Sequence, residues 1–462
     1  MLMLPLGIVW FAAVGVAFLD GRRRPVGWSA VAALSLSLLA LLWLGADVWR
    51  TGPVEEVGGN WPLGYGITLR ADALGVLFAI LSVAVLLAAL VYETLGTVRT
   101  RTFPALVLFM ATGLIGLFLT GDAFNFYVFF EIAMVSAYVL TSYGERSRQL
   151  RAAMIFAVVN LLGSVFFLIS VTALYHVTGS LDMQIIAVRL TEVDANPAIL
   201  TAATLFVAFG IKLGLFPFHF WLPAVYTGTR PAVAAILSGA LANIGSYGLL
   251  RFGAGMLSRE LELAGPALFI LGTASIVYGA LQAISRRDVG EVLAYSAIGQ
   301  VGYILIALGV GGPIGYAAAI LYAVINAVNK TLLFLTGSLR GWPVGAAFVV
   351  GAFSVAGVPP AAGFLGKAAL FRTGVEETGP VGGAVLVTLV FIGGALSFIY
   401  MFQLYQRRFW VALETMPGAT SLPARRVLVV VLAAVVLTLG VWPEPLLLVS
   451  ERAAAVLAED KR

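Results

Sequence analysis

Along the chain, apolar stretches close to 20 residues long alternate with short breaks rich in charge, glycine and proline. As α-helices, runs of that length match the hydrocarbon thickness of a bilayer; barrel strands would be about half as long and alternate in polarity. The pattern predicts about fourteen transmembrane helices: 2–20, 26–45, 72–92, 103–120, 123–143, 152–177, 198–226, 231–252, 264–284, 291–311, 314–338, 346–373, 381–405 and 426–447. The expected fold is therefore an all-α polytopic membrane protein.

Two of the runs are interrupted. In the seventh, Leu215-Phe216-Pro217 breaks an apolar stretch and Pro223 follows; in the twelfth, Gly357-Val358-Pro359-Pro360 does the same, with Gly363 and Gly366 beyond. Proline removes a backbone donor and clashes with the preceding turn. Inside a bilayer such breaks survive only where protein or a hydrated cavity surrounds them. Each break falls at the fourth place of a five-helix group, the fourth to eighth helices and the ninth to thirteenth. Five is odd, so the second group is inverted relative to the first, an architecture used by transporters. The organisation expected is a three-helix segment (1–102), a first five-helix repeat (103–252), a second, inverted repeat (264–405) and a C-terminal helix with its tail (406–462). The turn-rich segment 46–71 reads as an extracytoplasmic hairpin or loop. Segment 178–197 reads as a polar connection that has room for a short interfacial helix.

Composition narrows the class. Charged residues make up 11% of the 462 and hydrophobic ones 61%, against roughly 25% charged in soluble domains. A water-soluble globule is excluded. The net charge of +5 reflects arginines in short loops, as membrane topology requires, and no basic run is interleaved with aromatics as a nucleic-acid surface would need. Without cysteine, the chain has no disulfide, thiolate metal site, iron–sulfur cluster or cysteine nucleophile. Two histidines, His176 and His219, are too few for a metal centre. The run Leu2–Leu19 has no positive charge before it and Arg22, Arg23 and Arg24 after it, the reverse of a secretory signal. The first helix is thus expected to remain in the membrane. With both termini outside the cytoplasm, 16 of the 28 basic residues fall on the cytoplasmic side and 9 outside, the three membrane-embedded lysines making up the rest. That asymmetry sets the expected orientation in a cell membrane.

Four ionisable residues stand inside the apolar runs: Glu131, Lys212, Lys330 and Lys367. Each is costly at membrane depth, by a few kcal/mol on insertion scales, and chains that keep such groups there use them. Charges spaced along an apolar path with no catalytic motif nearby read as a proton or cation relay. Glu131 lies about a third of the way into the fifth helix; the plainer reading is a carboxylate satisfied at a protein interface. Lys212 sits just before the first break. Lys330 is central in the eleventh helix, with Asn326 one turn earlier and Asn329 adjacent. Lys367 follows the second break, where snorkelling to the interface is the competing reading. His219, beyond the first break, reads equally as a structural histidine or a relay member.

At these residues the chain resembles the proton-translocating antiporter-like subunits shared by Mrp-type Na+/H+ antiporters, respiratory complex I and membrane-bound hydrogenases. The segments that carry the resemblance are 120–131, 210–223, 293–303, 329–334 and 363–367, and the run Phe124-Asn-Phe-Tyr-Val-Phe-Phe-Glu131 is most similar to the D subunit of Mrp antiporters. The resemblance implies fourteen helices in two inverted repeats. It also implies that Glu131 pairs with Lys212, that Lys330 is the central relay and that Lys367 leads to the opposite exit. Its further implications are no cofactor, no enzymatic chemistry of its own, partner membrane subunits, and protons with Na+ as the ions moved. Some positions depart from the family pattern. Asn243 stands where a lysine or histidine is usual and Asn326 where histidine is common. Ala224, Arg230 and Gly290-Glu291 replace an aspartate, a threonine and a Lys-Arg pair. An amide holds water but does not ionise, so Asn243 and Asn326 are expected to be water-holding positions. The alternatives are a proton-pumping arm of a redox complex and a scaffold subunit with an impaired relay.

Overall fold

The computed structural model describes residues 2–62, 66–144, 146–410 and 423–459. Residues 63–65 of the expected loop 46–71, residues 411–422 of the C-terminal segment, and Lys461 and Arg462 of the charge count lie outside them.

The chain opens with α1 (Leu4–Ala17) and α2 (Arg24–Thr51), then a hairpin of β1 (Val54–Val57) and β2 (Thr68–Ala71). Next come α3 (Ala73–Thr94), α4 (Phe103–Phe118), α5 (Ala123–Thr141), α6 (Ser147–Thr178) and the short α7 (Met183–Leu190). The first broken helix is α8 (Ala195–Leu213) with α9 (Trp221–Gly228). It is followed by α10 (Pro231–Ile236) and α11 (Asn243–Gly248), which π-helical turns over Leu237–Leu241 and Leu249–Met256 join into one rod. Then follow α12 (Ser258–Ser285), α13 (Val289–Val310) and α14 (Gly312–Thr336). The second broken helix is α15 (Trp342–Ala356) with α16 (Gly363–Glu377), and α17 (Gly379–Tyr405), α18 (Pro423–Val441) and α19 (Glu444–Glu459) complete the chain.

Every predicted run coincides with one of these helices or rods. Eleven are long and apolar enough to cross a membrane, and α1, α4 and α15 are shorter apolar helices. The segment 46–71, read as a hairpin or loop, is a hairpin, and two further details differ from the sequence reading. The loop after α2 is a β-hairpin pairing Val54 with Ala71 and Val57 with Thr68 in antiparallel register, so the fold is all-α except for this ribbon. Helix α2 runs on to Thr51, carrying Asp47 and Arg50 with it. Residues 444–459, read as the end of a span and its tail, form a separate helix, α19, packed on α14 and α3.

Aspartates start several of the helices. Asp72, Asp122 and Asp288 each accept a bond from the backbone amide three residues on, at 2.9, 2.6 and 3.2 Å, meeting an amide that the helix itself leaves free. The centre of the molecule is α3, the α10–α11 rod, α13 and α14, whose membrane windows are 72–94% buried, whereas α2, α6, α12, α17 and α18 are 17–39% buried and form the periphery. Helices α12 and α13 make the most extensive pair. They meet through glycines: a β-carbon at Gly265 would fall 2.6 Å from the carbonyl oxygen of Gly309, and one at Gly279 would fall 2.6 Å from the amide of Gly299. Small residues let backbones approach where lipid supplies no hydrophobic drive between helices.

Helix α3 is held at both ends by buried carboxylates. At its start, Arg251 grips both oxygens of Asp72 at 2.7 and 2.6 Å and also donates to Tyr247 at 3.1 Å. In its last turn, Glu93 accepts from Tyr143 at 3.1 Å and lies 3.9 Å from both Arg230 and Arg425. The unusual Arg230 thus ties the α9–α10 junction to α3. Asp72 also has Arg70 Nε at 3.4 Å, so loss of Arg251 removes its bidentate partner and leaves a single longer ion pair. Arg251→Met is expected to destabilise the protein by about 3 kcal/mol, the low end for a broken buried pair, and Asp72→Asn added to it should restore part of that, since asparagine still caps the helix. Thermal unfolding of the purified variants checks both.

Candidate functional site

Helix α8 ends where Gly214 turns to φ +64°, in the left-handed region. Trp221, on the far side of the break, returns its indole N–H to the carbonyl of Ile211 at 3.0 Å, meeting one of the acceptors that a helix end exposes. The neighbouring Lys212 is only 7% exposed. It is therefore free to turn toward α6, where Nζ donates to the Asn160 carbonyl at 3.0 Å and to Ser164 Oγ at 3.4 Å. Its third side faces the ring of Phe130, 4.3 Å from the centroid.

Glu131 follows Phe130 on α5 and is half-buried, with one carboxylate oxygen enclosed and lacking a hydrogen-bond partner. No ion pair joins it to Lys212 among the described residues. The pairing that the family resemblance implies is thus not a contact in this conformation; the Phe130 ring meets the amine instead. A small, mostly apolar cavity of about 10 Å³, the scale of one water, is lined by Asn160 and Lys212 together with Met134, Phe156, Trp221, Leu241 and Ala242. It reaches from Lys212 to the residues just before Asn243. The Asn243 amide donates back to Gly239 at 2.8 Å, within the π-turn. His219 is set apart: its ring stacks on Phe216 and packs against Tyr278, with Nδ1 buried and unpartnered.

Lys330 is 5% exposed and makes no hydrogen bond or ion pair with any described residue. Asn326, one turn earlier, is also buried. Asn329 points the other way, giving Nδ2 to Ser354 Oγ at 2.7 Å, and the same hydroxyl accepts the Gly363 amide at 2.8 Å. Ser354 thereby joins α14 to both halves of the second broken helix.

At that second break α15 stops where Gly357 turns to φ +81°. Its last carbonyls, of Val355 and Ala356, accept from Lys367 Nζ at 3.1 and 2.7 Å. The negative end of a helix thus holds the ammonium. The lysine is 5% exposed, so it does not snorkel. A β-carbon at Gly394 would lie 3.1 Å from Nζ, and glycine there leaves the amine its space.

Sequence reasoning assigned no role to a polar group between these lysines. On α13, Ser296, Gln300 and Tyr303 share a face; Gln300 accepts from Tyr322 at 2.5 Å, and Ser296 meets Tyr400 at 2.9 Å. The signal was periodicity, since Ser296, Gln300 and Tyr303 stand at i, i+4 and i+7, and Tyr322, Asn326 and Lys330 at intervals of four.

Residues 120–340 match the family described as NADH:quinone oxidoreductase/Mrp antiporter, TM. The D subunit of the Na(+)/H(+) antiporter of Alkalihalophilus pseudofirmus is 30% identical over 433 residues, covering 88% of this chain and 87% of that protein. The chain belongs to the NADH:quinone oxidoreductase/Mrp antiporter family. Within this family, a chain of the Mrp complex from Dietzia sp. DQ12-45-1b superposes with a TM-score of 0.88 at 25% identity, over 98% of this chain and 97% of that one. A chain of respiratory complex I from Thermus thermophilus with bound Aureothin gives 0.77 at 26% identity, over 96% and 98%. Glu131, Lys212, Asn243, Asn326 and Lys330 lie inside the family match; Lys367 lies beyond it.

The Ser354 junction generates a stability prediction. Ser354→Ala removes the acceptor of two buried donors and should cost about 1–3 kcal/mol for each group left unmet, seen as a lower unfolding temperature of the purified protein.

Proposed function

We propose that the chain is the proton-translocating membrane subunit of a multi-subunit Na+(cation)/H+ antiporter, moving protons along Glu131, Lys212, Lys330 and Lys367 with water between them. One observation carries this reading: three lysines, each at most 7% exposed, sit in the membrane interior with no carboxylate in ion-pair contact among the described residues. An amine held that way is costly as a permanent charge and suited to gaining and losing a proton.

The donor count supports the reading. An ammonium has three N–H groups and a neutral amine has two. Lys212 and Lys367 each meet two protein acceptors, so each can release its third proton and keep both bonds. Lys330, with no protein acceptor, stands between them as the central carrier. Asn243 and Asn326 are water-holding positions in this scheme, and His219, without a polar partner, has a minor part. Fourteen crossings, two inverted repeats over 103–252 and 264–405, flanking segments 1–102 and 406–462, both termini outside and residence in the cell membrane complete the proposal. It assigns the chain neither a cofactor nor a resident metal.

Exposed Phe124, Val128, Val135 and Val139 surround the half-buried Glu131 on α5. Lipid is a poor neighbour for that carboxylate, and this face suits a partner subunit, in keeping with the multi-subunit Mrp complex. A second reading has the same relay driven by electron transfer in partner chains, and the likeness to the complex I chain favours it. The partners that co-purify separate the two.

In vesicles holding the whole complex, Glu131→Ala, Lys212→Ala and Lys330→Ala should each reduce sodium-dependent proton exchange to background while the complex still assembles. Normal exchange in the Lys212→Ala or Lys330→Ala complex would sink the relay, and indifference to all three would mark the chain as a scaffold.

A further inference from the structure

Among the described residues no carboxylate or histidine is hydrogen-bonded or ion-paired to Lys330 or Lys367, and α13, α14, α16 and α17 pack together around this leg. Three observations single out Tyr322. It lies on the Lys330 face of α14, two turns from the lysine, with Asn326 between them; eight residues of helix put Tyr322 and Lys330 about 12 Å apart along the axis. It also touches the Lys367 helix, since a β-carbon on Gly366 would come within 2.8 Å of its ring. Finally, its ring lies 5.1 Å from that of Tyr303, which in turn lies 5.2 Å under Lys367 Nζ. Tyr303 Oη is buried with no partner, and neither Asn326 nor Lys330 makes a side-chain hydrogen bond with the described residues. Buried polar atoms of this kind are met by ordered water. Tyr322 thus lies between the unpaired polar groups of the Lys330 face and the Tyr303–Lys367 contact.

Its hydroxyl donates to Gln300 Oε1 at 2.5 Å. A phenolic O–H both accepts and donates, whereas an amide oxygen only accepts. The proton that Tyr322 directs at Gln300 therefore has no onward route. We propose that Tyr322 passes protons between Lys330 and Lys367, and that Gln300 is a latch that holds its hydroxyl out of the path. When the latch opens, Oη accepts a proton from a water bonded to the Lys330 ammonium as its own proton leaves to a water on the neutral Lys367 amine. An N–H bond breaks at Lys330 and one forms at Lys367, Tyr322 Oη and each water gain one O–H bond and lose one, Lys330 ends neutral, Lys367 ends charged, and no co-reactant is consumed. The proposal rests on the relay reading above. It makes Tyr322 a proton-passing group and Gln300 a positioning residue.

The test compares three variants of the complete complex in vesicles, each scored for assembly. Tyr322→Phe should cut cation-driven exchange about tenfold or more, a barrier change of about 1.4 kcal/mol. Gln300→Leu should raise passive proton leak without a cation gradient severalfold. Opposite signs are the signature, because a purely structural pair would lose activity in parallel. Exchange by Tyr322→Phe within about twofold of the parent, against a lost Lys330→Ala signal, overturns the latch and leaves the relay standing. Full exchange by Lys330→Ala overturns the relay reading itself. If Tyr322→Phe fails to assemble, the leak of Gln300→Leu decides: a rise supports the latch, and no rise overturns it.

Discussion

A helix broken inside hydrocarbon exposes carbonyls that no water reaches, and both breaks in this chain are organised by what meets them. At the first, the Trp221 indole takes the Ile211 carbonyl, which releases Lys212 to α6. At the second, no indole donates to these carbonyls among the described residues, and Lys367 itself takes those of Val355 and Ala356. The partial negative charge of a helix C-terminus stabilises a cation by a fraction of a kcal/mol to about 2 kcal/mol. Lys367 thus has a fixed electrostatic seat, whereas Lys212 has only neutral acceptors. The two breaks share backbone geometry but provide different seats for a charge.

The same constraint explains why the core helices are pinned by ions. Helix α3 is buried along most of its length, so its ends are where charge can be used to fix it. Asp72 and Glu93 do this with arginines from segments far apart in sequence: Arg251 at one end, and Arg230 and Arg425 at the other. These contacts hold α3 against the rod that carries Asn243 and against α18, while α14, which carries Lys330, packs on α3 directly. Rigid walls matter to a relay whose steps are short, since proton transfer between groups requires hydrogen-bond distances.

Much of this was legible in the chain. Hydropathy located the helices because hydrocarbon length leaves little choice, and Pro217 and Pro359-Pro360 marked the breaks. Charge in an apolar run marked Glu131, Lys212, Lys330 and Lys367, since so large a cost needs a use. Partners were not legible. That Lys212 would meet Asn160 and Ser164, and Lys367 the end of α15, depends on how distant segments pack. That Lys212 meets the Phe130 ring and makes no ion pair with Glu131 among the described residues likewise depends on packing between helices. Gln300, Tyr303 and Tyr322 escaped notice because amides and phenols in an apolar run are common, and only their shared face gives them meaning. The turn-rich stretch 46–71 left hairpin and loop both open, because the alternation that decides for a hairpin is just four residues long on each side.

The two asparagines bear on how the middle of the path works. A lysine at Asn243 would add a charge about which Lys212 and Lys330 would have to adjust. Asn243 instead spends one N–H on Gly239 and keeps a second donor and an acceptor for water. Asn326 keeps its whole amide, one turn from Lys330. In the proposed relay, amides placed this way would orient water without competing for the proton, which would confine charge to Glu131 and the three lysines and leave the steps between them to hydration. A path of that kind is controlled by whether its waters connect. The hydroxyl–amide bond between Tyr322 and Gln300 falls where such a connection would pass from Lys330 toward Lys367.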